Sequence, residues 1–293
     1  MVKTKREYVL ASAFLSGIAV GLCLVSLGTT QWVVAEGKFT NYTNETNEID
    51  YGLFSGIYLQ RLGAEQRFIL YRNEITTCLI SENVCAYLCA PSSEARKAEI
   101  EILFKNEKPT FTCSPIKTKA VRELEPEVHS TYSLTDVSKN DFADINDKFI
   151  NAGLYISTIV FLALSVIFGF IAAVLAVWNT AGNPIEVVFS IYGIYVYNFI
   201  ACISSMIAII LWGALFGSHI KNNVSFSHTI TGDMTTSGTA NLGFSYWLML
   251  PSMVLYAAAL IVLILRQHLI NQEPVMNIHT KPLDDGGPIN IIF

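Results

Sequence analysis

The chain has 293 residues, of which 52% are hydrophobic, 12% aromatic and only 15% charged, with a formal net charge of −5. Four runs, 8–35, 149–185, 187–220 and 234–265, contain no Asp, Glu, Lys or Arg. Each exceeds the roughly 20 apolar residues that cross a bilayer core, and together they would leave a soluble protein almost no polar helix surface, which excludes that class.

Within these runs the apolar segments narrow to four spans at 8–27, 153–177, 188–215 and 244–265. The reading is a membrane all-α fold, a four-helix transmembrane bundle carrying a large disulfide-containing loop domain with a small β-sheet and a short helix. Lys3, Lys5 and Arg6 before the first span also fit a signal peptide, but its apolar core is longer than the usual 7–15 residues and no clear A-x-A site follows. The expectation is a retained helix. With Arg266 ending the last span, the positive-inside tendency places residues 1–7 and the tail 266–293 in the cytosol, and the loops 28–152 and 216–243 outside.

Ala13, Gly17 and Gly21 recur at four-residue steps in the first span, a small-xxx-small ridge expected to pack against a neighbouring helix. Cys23 there, and Cys202 in the third span, read as packing residues. Trp32, just past the first span, is expected at the interfacial aromatic belt. Complete N-x-[ST] acceptor triplets at Asn41, Asn44 and Asn223 all fall in the two loops that the charges place outside.

The first outer loop is the solvated part of the chain: residues 28–148 hold 18 acidic and 13 basic residues. "QWVVAE", "YGLFSGIYL" and "RFILYR" read as strands, rich in aromatic and β-branched residues. "PSSEARKAEIEILFKNE" from Pro91 reads as an amphipathic helix, with Ser92 or Ser93 as N-cap and Glu94 in the first turn. The remainder to Lys148 reads as irregular. Cys78, Cys85, Cys89 and Cys113 form an even set where the secretory pathway favours disulfides, with three connectivities open. Their C-x6-C-x3-C spacing does not suit zinc.

The second span carries Ser165, Gly169 and Ala173 in the same small-xxx-small pattern. Only "NTAGNPIE" joins it to the third, so the two form a tight antiparallel hairpin, with 178–187 as a cytosolic turn. In the third span Ser190, Gly193, Tyr197, Ala201, Ser204 and Ala208 make a second seam, with Asn198 beside them as an interhelical hydrogen-bonding residue. No ionisable relay accompanies it. In the fourth, Tyr246 and Trp247 anchor the outer end and Pro251 is expected to kink the helix.

No catalytic motif is present: there is no H-E-x-x-H, G-x-S-x-G or P-loop, and the histidines show no metal spacing. The expectation is therefore no enzyme, no cofactor and no metal. After Arg266 the tail ends in "KPLDDGGPINIIF", extended by its Pro and Gly residues, with Ile291 and Phe293 placed as a PDZ groove accepts them.

"LGTTQW" at 27–32, "YGLFSG" at 51–56, the cysteine group, the long second span, "GNPIEVVFSIYGIYVYNF" at 182–199 and "FSYWL" at 244–248 resemble the clarin family of tetraspan membrane proteins. More remotely, Trp32, Gly52, Leu53 and Phe54 with a cysteine pair are similar to the W…GLW…C…C signature of the claudin and stargazin superfamily, with Phe54 in place of the second Trp. That resemblance implies a Cys78–Cys89 disulfide, with Cys85 and Cys113 as the other pair. It also implies that YGLF is a strand anchoring an extracellular sheet onto the bundle. The clarin resemblance implies a plasma-membrane organiser or scaffold of sensory-type cells, acting through the lipid bilayer, other membrane proteins and the actin cytoskeleton, with no nucleic-acid partner. The alternatives it leaves are an auxiliary ion-channel subunit of stargazin type and a claudin-like adhesion protein.

Overall fold

The first helix, α1 (Arg6–Gly28), leads within a few residues into strand β1 (Val33–Phe39). The structure is a computed structural model and describes residues 6–39, 47–62, 68–105, 107, 148–182 and 189–272. β1 is followed by β2 (Asn47–Tyr51), β3 (Ser55–Leu62), β4 (Phe68–Leu79), a 3-10 turn at Ile80–Glu82, β5 (Val84–Leu88) and helix α2 (Ser93–Phe104). β6 (Ile150–Asn151) runs directly into helix α3 (Ala152–Ala181), which is followed by α4 (Ile191–Leu215) and its wider final turn Phe216–Ile220. A short helix α5 (Ser227–Ile230), strands β7 (Met234–Thr235) and β8 (Asn241–Leu242), a single turn α6 (Phe244–Trp247) and helix α7 (Met249–Asn271) complete the fold.

Four helices are long and apolar enough to cross a membrane: Arg6–Gly28, Ala152–Ala181, Ile191–Ile220 and Phe244–Asn271. They match the four predicted spans, with helical residues added beyond the apolar stretch, except that the third begins at Ile191 and is extended only at its far end. Their faces are sorted by size and polarity. Phe14, Phe170, Phe199, Ile210 and Ile261 point outward, while Ser12, Ser16, Ser165, Gly169, Asn198 and Ser252 are buried. A helix pair lacking a hydrophobic driving force from its solvent packs in this manner, through small and hydrogen-bonding residues.

The small-residue ridges are met in part. Ser165 and Gly169 are buried in α3 as expected, whereas Ala173 is half-exposed. In α1 the expectation is met at Ala13, which is buried, and fails at Gly17 and Gly21. Gly17 and Gly21 are exposed, and a Cβ built on either meets nothing within 4 Å. The contact face of α1 is the neighbouring stripe of Ser12, Ala13, Ser16, Ala19, Cys23 and Ser26. Spacing alone does not separate the two stripes, because both repeat at three and four residues; the difference is that Ser16, Cys23 and Ser26 meet hydrogen-bonding partners on other helices.

At the turn between α3 and α4, Asn179 Nδ2 donates to Leu175 O at 2.8 Å and to Phe189 O at 2.6 Å, closing the antiparallel hairpin. Pro251 occupies the first turn of α7, just after the interruption at Leu248, whose backbone stays helical. In that position its missing N–H has no intrahelical partner to lose.

The strands form one eight-stranded antiparallel sheet in the order β6-β5-β4-β3-β2-β1-β7, with β8 also paired to β1. It contains the sheet expected between the first two spans, joined by the two-residue strands β7 and β8 from the loop after α4. Two predicted strands shift: the 51–59 run is broken at 52–54 between β2 and β3, and the 67–72 run is only the start of β4. Chain connectivity orients the sheet. β1 starts just after α1 and β6 ends at α3, so the turns β2–β3 and β4–β5 lie at the bundle end, and the β1–β2 connection at the far end.

Helix α2 begins as predicted, with Ser92 as N-cap accepting from Ala95 N at 3.1 Å. Its Ile100 and Leu103 are buried with Val84, Ala86, Leu88 and Phe149. The disulfide expectation is corrected: Cys78 is bonded to Cys85, not to Cys89. These two face each other directly in the β4–β5 register. Cys89 lies four residues further along and so roughly 13 Å from that rung, beyond the roughly 7 Å between Cα atoms that a disulfide spans. Cys89 is itself disulfide-bonded. Cys113, the acceptors Asn41 and Asn44, and the tail residues Ile291 and Phe293 lie outside the described residues.

Candidate functional site

Two of the features singled out in the sequence, Trp32 and the Gly52–Leu53–Phe54 segment, meet at the junction between bundle and sheet. Trp32 is fully buried there, so it is a core residue and not a member of the interfacial belt. Its indole Nε1 donates to Ser26 O at 2.7 Å, its backbone N donates to Tyr51 O at 2.9 Å, and its carbonyl accepts from Gly243 N at 3.0 Å. One residue thus ties the end of α1, the end of β2 and the segment before α6. Its ring meets Trp212 of α4 edge-on at 4.9 Å and Tyr246 at 6.4 Å.

Within YGLF, Tyr51 ends β2 and residues 52–54 form a turn that docks the sheet. Gly52 N donates to Ser55 O at 2.9 Å, and Gly52 O accepts from Tyr87 Oη at 2.9 Å. A Cβ on Gly52 would lie 2.6 Å from Thr29 O and 2.8 Å from Thr30 Cα, both backbone atoms that have no rotamer to give way. Leu53 is fully buried, whereas Phe54 faces out. Gly56 sits opposite Tyr51 in the β2–β3 register, and a Cβ there would fall on the Tyr51 ring. Glycine at 56 is what lets that ring lie flat across β3.

Tyr51 stacks on Tyr87 with centroids 4.0 Å apart, and Phe226 from the second loop meets Tyr51 edge-on at 5.9 Å and Tyr58 at 5.8 Å. The Tyr51 hydroxyl donates to the buried carboxylate of Glu74. Burial, and then the Glu74 charge, hold the Tyr51 hydroxyl well above its ordinary pKa. Burial does the same to Tyr87. A second buried carboxylate, Glu99 of α2, accepts from Ser227 Oγ at 2.6 Å and from Ala90 N at 3.4 Å. The second loop is therefore part of the sheet domain's core, joined to it also by Tyr87 N donating to Ser225 O at 3.0 Å. Within that loop Asn223 accepts from Thr236 N at 3.2 Å and Thr236 Oγ1 at 2.9 Å, and donates to Thr229 O at 3.4 Å.

Sequence reading missed Tyr51, Tyr87, Phe226, Glu74 and Glu99. The alternation of buried and exposed residues along β1 is legible in "VVAEGKF", but β5 is buried along its whole length and carries no such signal. The cross-loop partners come from segments more than 120 residues apart, and no local pattern reports that.

Inside the bundle the same kind of bonding continues. Ser16 Oγ donates to Asn198 Oδ1 at 2.7 Å, and Asn198 Nδ2 donates to Ile194 O at 3.1 Å, which is the interhelical role expected of Asn198. Ser252 Oγ donates to Ala19 O at 3.0 Å and lies 2.8 Å from Cys23 Sγ. Tyr256 Oη donates to Ser165 O at 3.2 Å, its ring lying where a Cβ of residue 169 would be. Ser26 Oγ donates to Ser245 O at 2.8 Å. Among the described residues no group of three His, Cys, Asp or Glu side chains is placed to hold a metal ion.

Comparison with protein-family models and with curated proteins finds no match for the chain.

Proposed function

We propose that the chain is a multi-pass plasma-membrane protein, both termini cytosolic and the sheet outside, acting as a clarin-like organiser of other membrane proteins instead of as a catalyst or conduit. The observation that carries this reading is how the bundle interior is filled. Two buried polar side chains on α1 bond directly to α4 and α7, Ser16 to Asn198 and Cys23 to Ser252, so polarity there serves to lock helices together. The outward placement of the large apolar side chains suits a lipid solvent. A rigid bundle with a rigid outer sheet presents fixed surfaces for lateral association, and a PDZ-type capture of Ile291 and Phe293 would add a cytoplasmic link.

Proximity labelling from the native membrane, followed by co-purification in detergent, tests the proposal. Recovery of scaffold or cytoskeletal proteins through the wild-type tail, and their loss when one Gly is added after Phe293, is the expected result. Ion conductance from the purified chain alone in planar bilayers would overturn it.

A further inference from the structure

The sheet places two turns at the bundle end, and each carries a large apolar side chain that is more than half exposed. Phe54 in the β2–β3 turn is 52% exposed and Ile80 in the β4–β5 turn is 76% exposed. Their heights are fixed by named contacts. The turn at 52–54 rests on Thr29 and Thr30, immediately past the end of α1. The turn at 80–83 is held to the first residues of α3, with Ala152 N donating to Asn83 O at 3.1 Å and Gly153 N to Asn83 Oδ1 at 2.8 Å.

The start of the fourth spanning segment adds two more residues. Phe244 is 60% exposed and Trp247 53% exposed, and Ser245 N donates to Gln31 O at 2.9 Å, which places them beside the same end of α1. Four exposed apolar side chains from three separate segments therefore stand at one level, where the apolar outer surface of the bundle ends. β1 ends and β2 begins at the opposite end of the sheet.

We propose that Phe54 and Ile80, with Phe244 and Trp247, form a girdle seated in the outer lipid headgroup layer, so that the sheet rests on the bilayer surface and is not held clear of it. The occupant is phospholipid, because the girdle is continuous with the apolar face that the four helices present. Amphipathic and aromatic residues gather at that depth in membrane proteins. Ser81 and Glu82 beside Ile80 are exposed polar neighbours, which fits a shallow seat among headgroups and not immersion in hydrocarbon. The seat fixes the tilt of the sheet at two points, β2–β3 and β4–β5, and leaves its far end clear of the bilayer.

This inference rests on the membrane reading, and the test separates the two. The full chain is reconstituted in phosphatidylcholine nanodiscs with the photoreactive residue p-benzoyl-phenylalanine placed singly at Phe54, Ile80, Phe170 or Lys97. Phe170 lies exposed within α3 and Lys97 exposed on α2. After irradiation, intact mass counts lipid adducts. Adducts at Phe54 and Ile80 several-fold above Lys97, and below Phe170, are the expected result. Adducts at Phe170 but none above Lys97 at Phe54 and Ile80 would overturn the girdle and leave the spans standing, as would cross-links from those two positions to a second copy of the chain. No adduct at Phe170 would remove the membrane reading and the girdle together.

Discussion

Replacing Gly169 by Val tests the packing of the bundle where it is closest. A Cβ at 169 would lie 2.2 Å from Tyr256 Oη and 2.7 Å from two ring carbons, and Tyr256 is fully buried, so the ring has no solvent to move into. Overpacking of this kind costs about 1–3 kcal/mol. Displacing the ring also breaks the Tyr256–Ser165 bond, worth about 0.6 kcal/mol for an interhelical bond in a membrane bundle. Against this, leaving glycine gains roughly 0.5 kcal/mol in helix propensity. The net loss is then about 2 kcal/mol, or roughly 4–8 °C in the unfolding midpoint for a protein of this size. Gly17→Val is the control: nothing lies within 4 Å of its Cβ, so only the small propensity gain remains. The assay is thermal unfolding in detergent, followed by fluorescence-detected size exclusion. Wild-type melting of Gly169→Val, or a larger loss from Gly17→Val, would refute the assignment of which helix faces meet.

Peptide mapping without reduction is expected to recover Cys78 linked to Cys85; a Cys78–Cys89 peptide would show that the β4–β5 register is wrong. Removing that link with Cys78→Ala and Cys85→Ala together should cost about 2 kcal/mol, because it closes only a short loop in the unfolded chain. Ser16→Ala and Asn198→Ala should each destabilise by about 1 kcal/mol, and the double mutant by less than their sum, because both remove the same bond; strict additivity would deny the contact. Tyr51 and Tyr87 have pKa values raised in the folded state, so the stability they contribute is complete below the unfolded tyrosine value of about 10 and is lost as pH rises above it. Near-ultraviolet circular dichroism should record sheet unfolding in that alkaline range, with a shallower loss in Tyr51→Phe. Enzymatic deglycosylation should shift the protein's mobility, and Asn41→Gln with Asn44→Gln should remove most of the shift, since Asn223 is engaged within its own loop; a cytosol-accessible tag at residue 130 would reverse the orientation.

The sequence by itself determined where the four long helices are, because a span is a local property: an unbroken stretch without charge is recognisable without knowing its neighbours. It also determined the start of α2, since Ser92 caps its own helix through a contact three residues away. Asn198 was legible for a related reason, as a buried amide among apolar residues needs a partner wherever it sits. What only the tertiary structure decided is which of two small-residue stripes on α1 faces inward, since that depends on Ser16 and Cys23 finding Asn198 and Ser252 on other helices. It also decided the cysteine pairing, which follows from strand register and not from spacing, and the burial of Trp32, which Trp212 and Tyr246 cover from segments about 200 residues away. Local composition fixes which solvent a segment prefers; the partner that each side chain meets is a property of the packed whole.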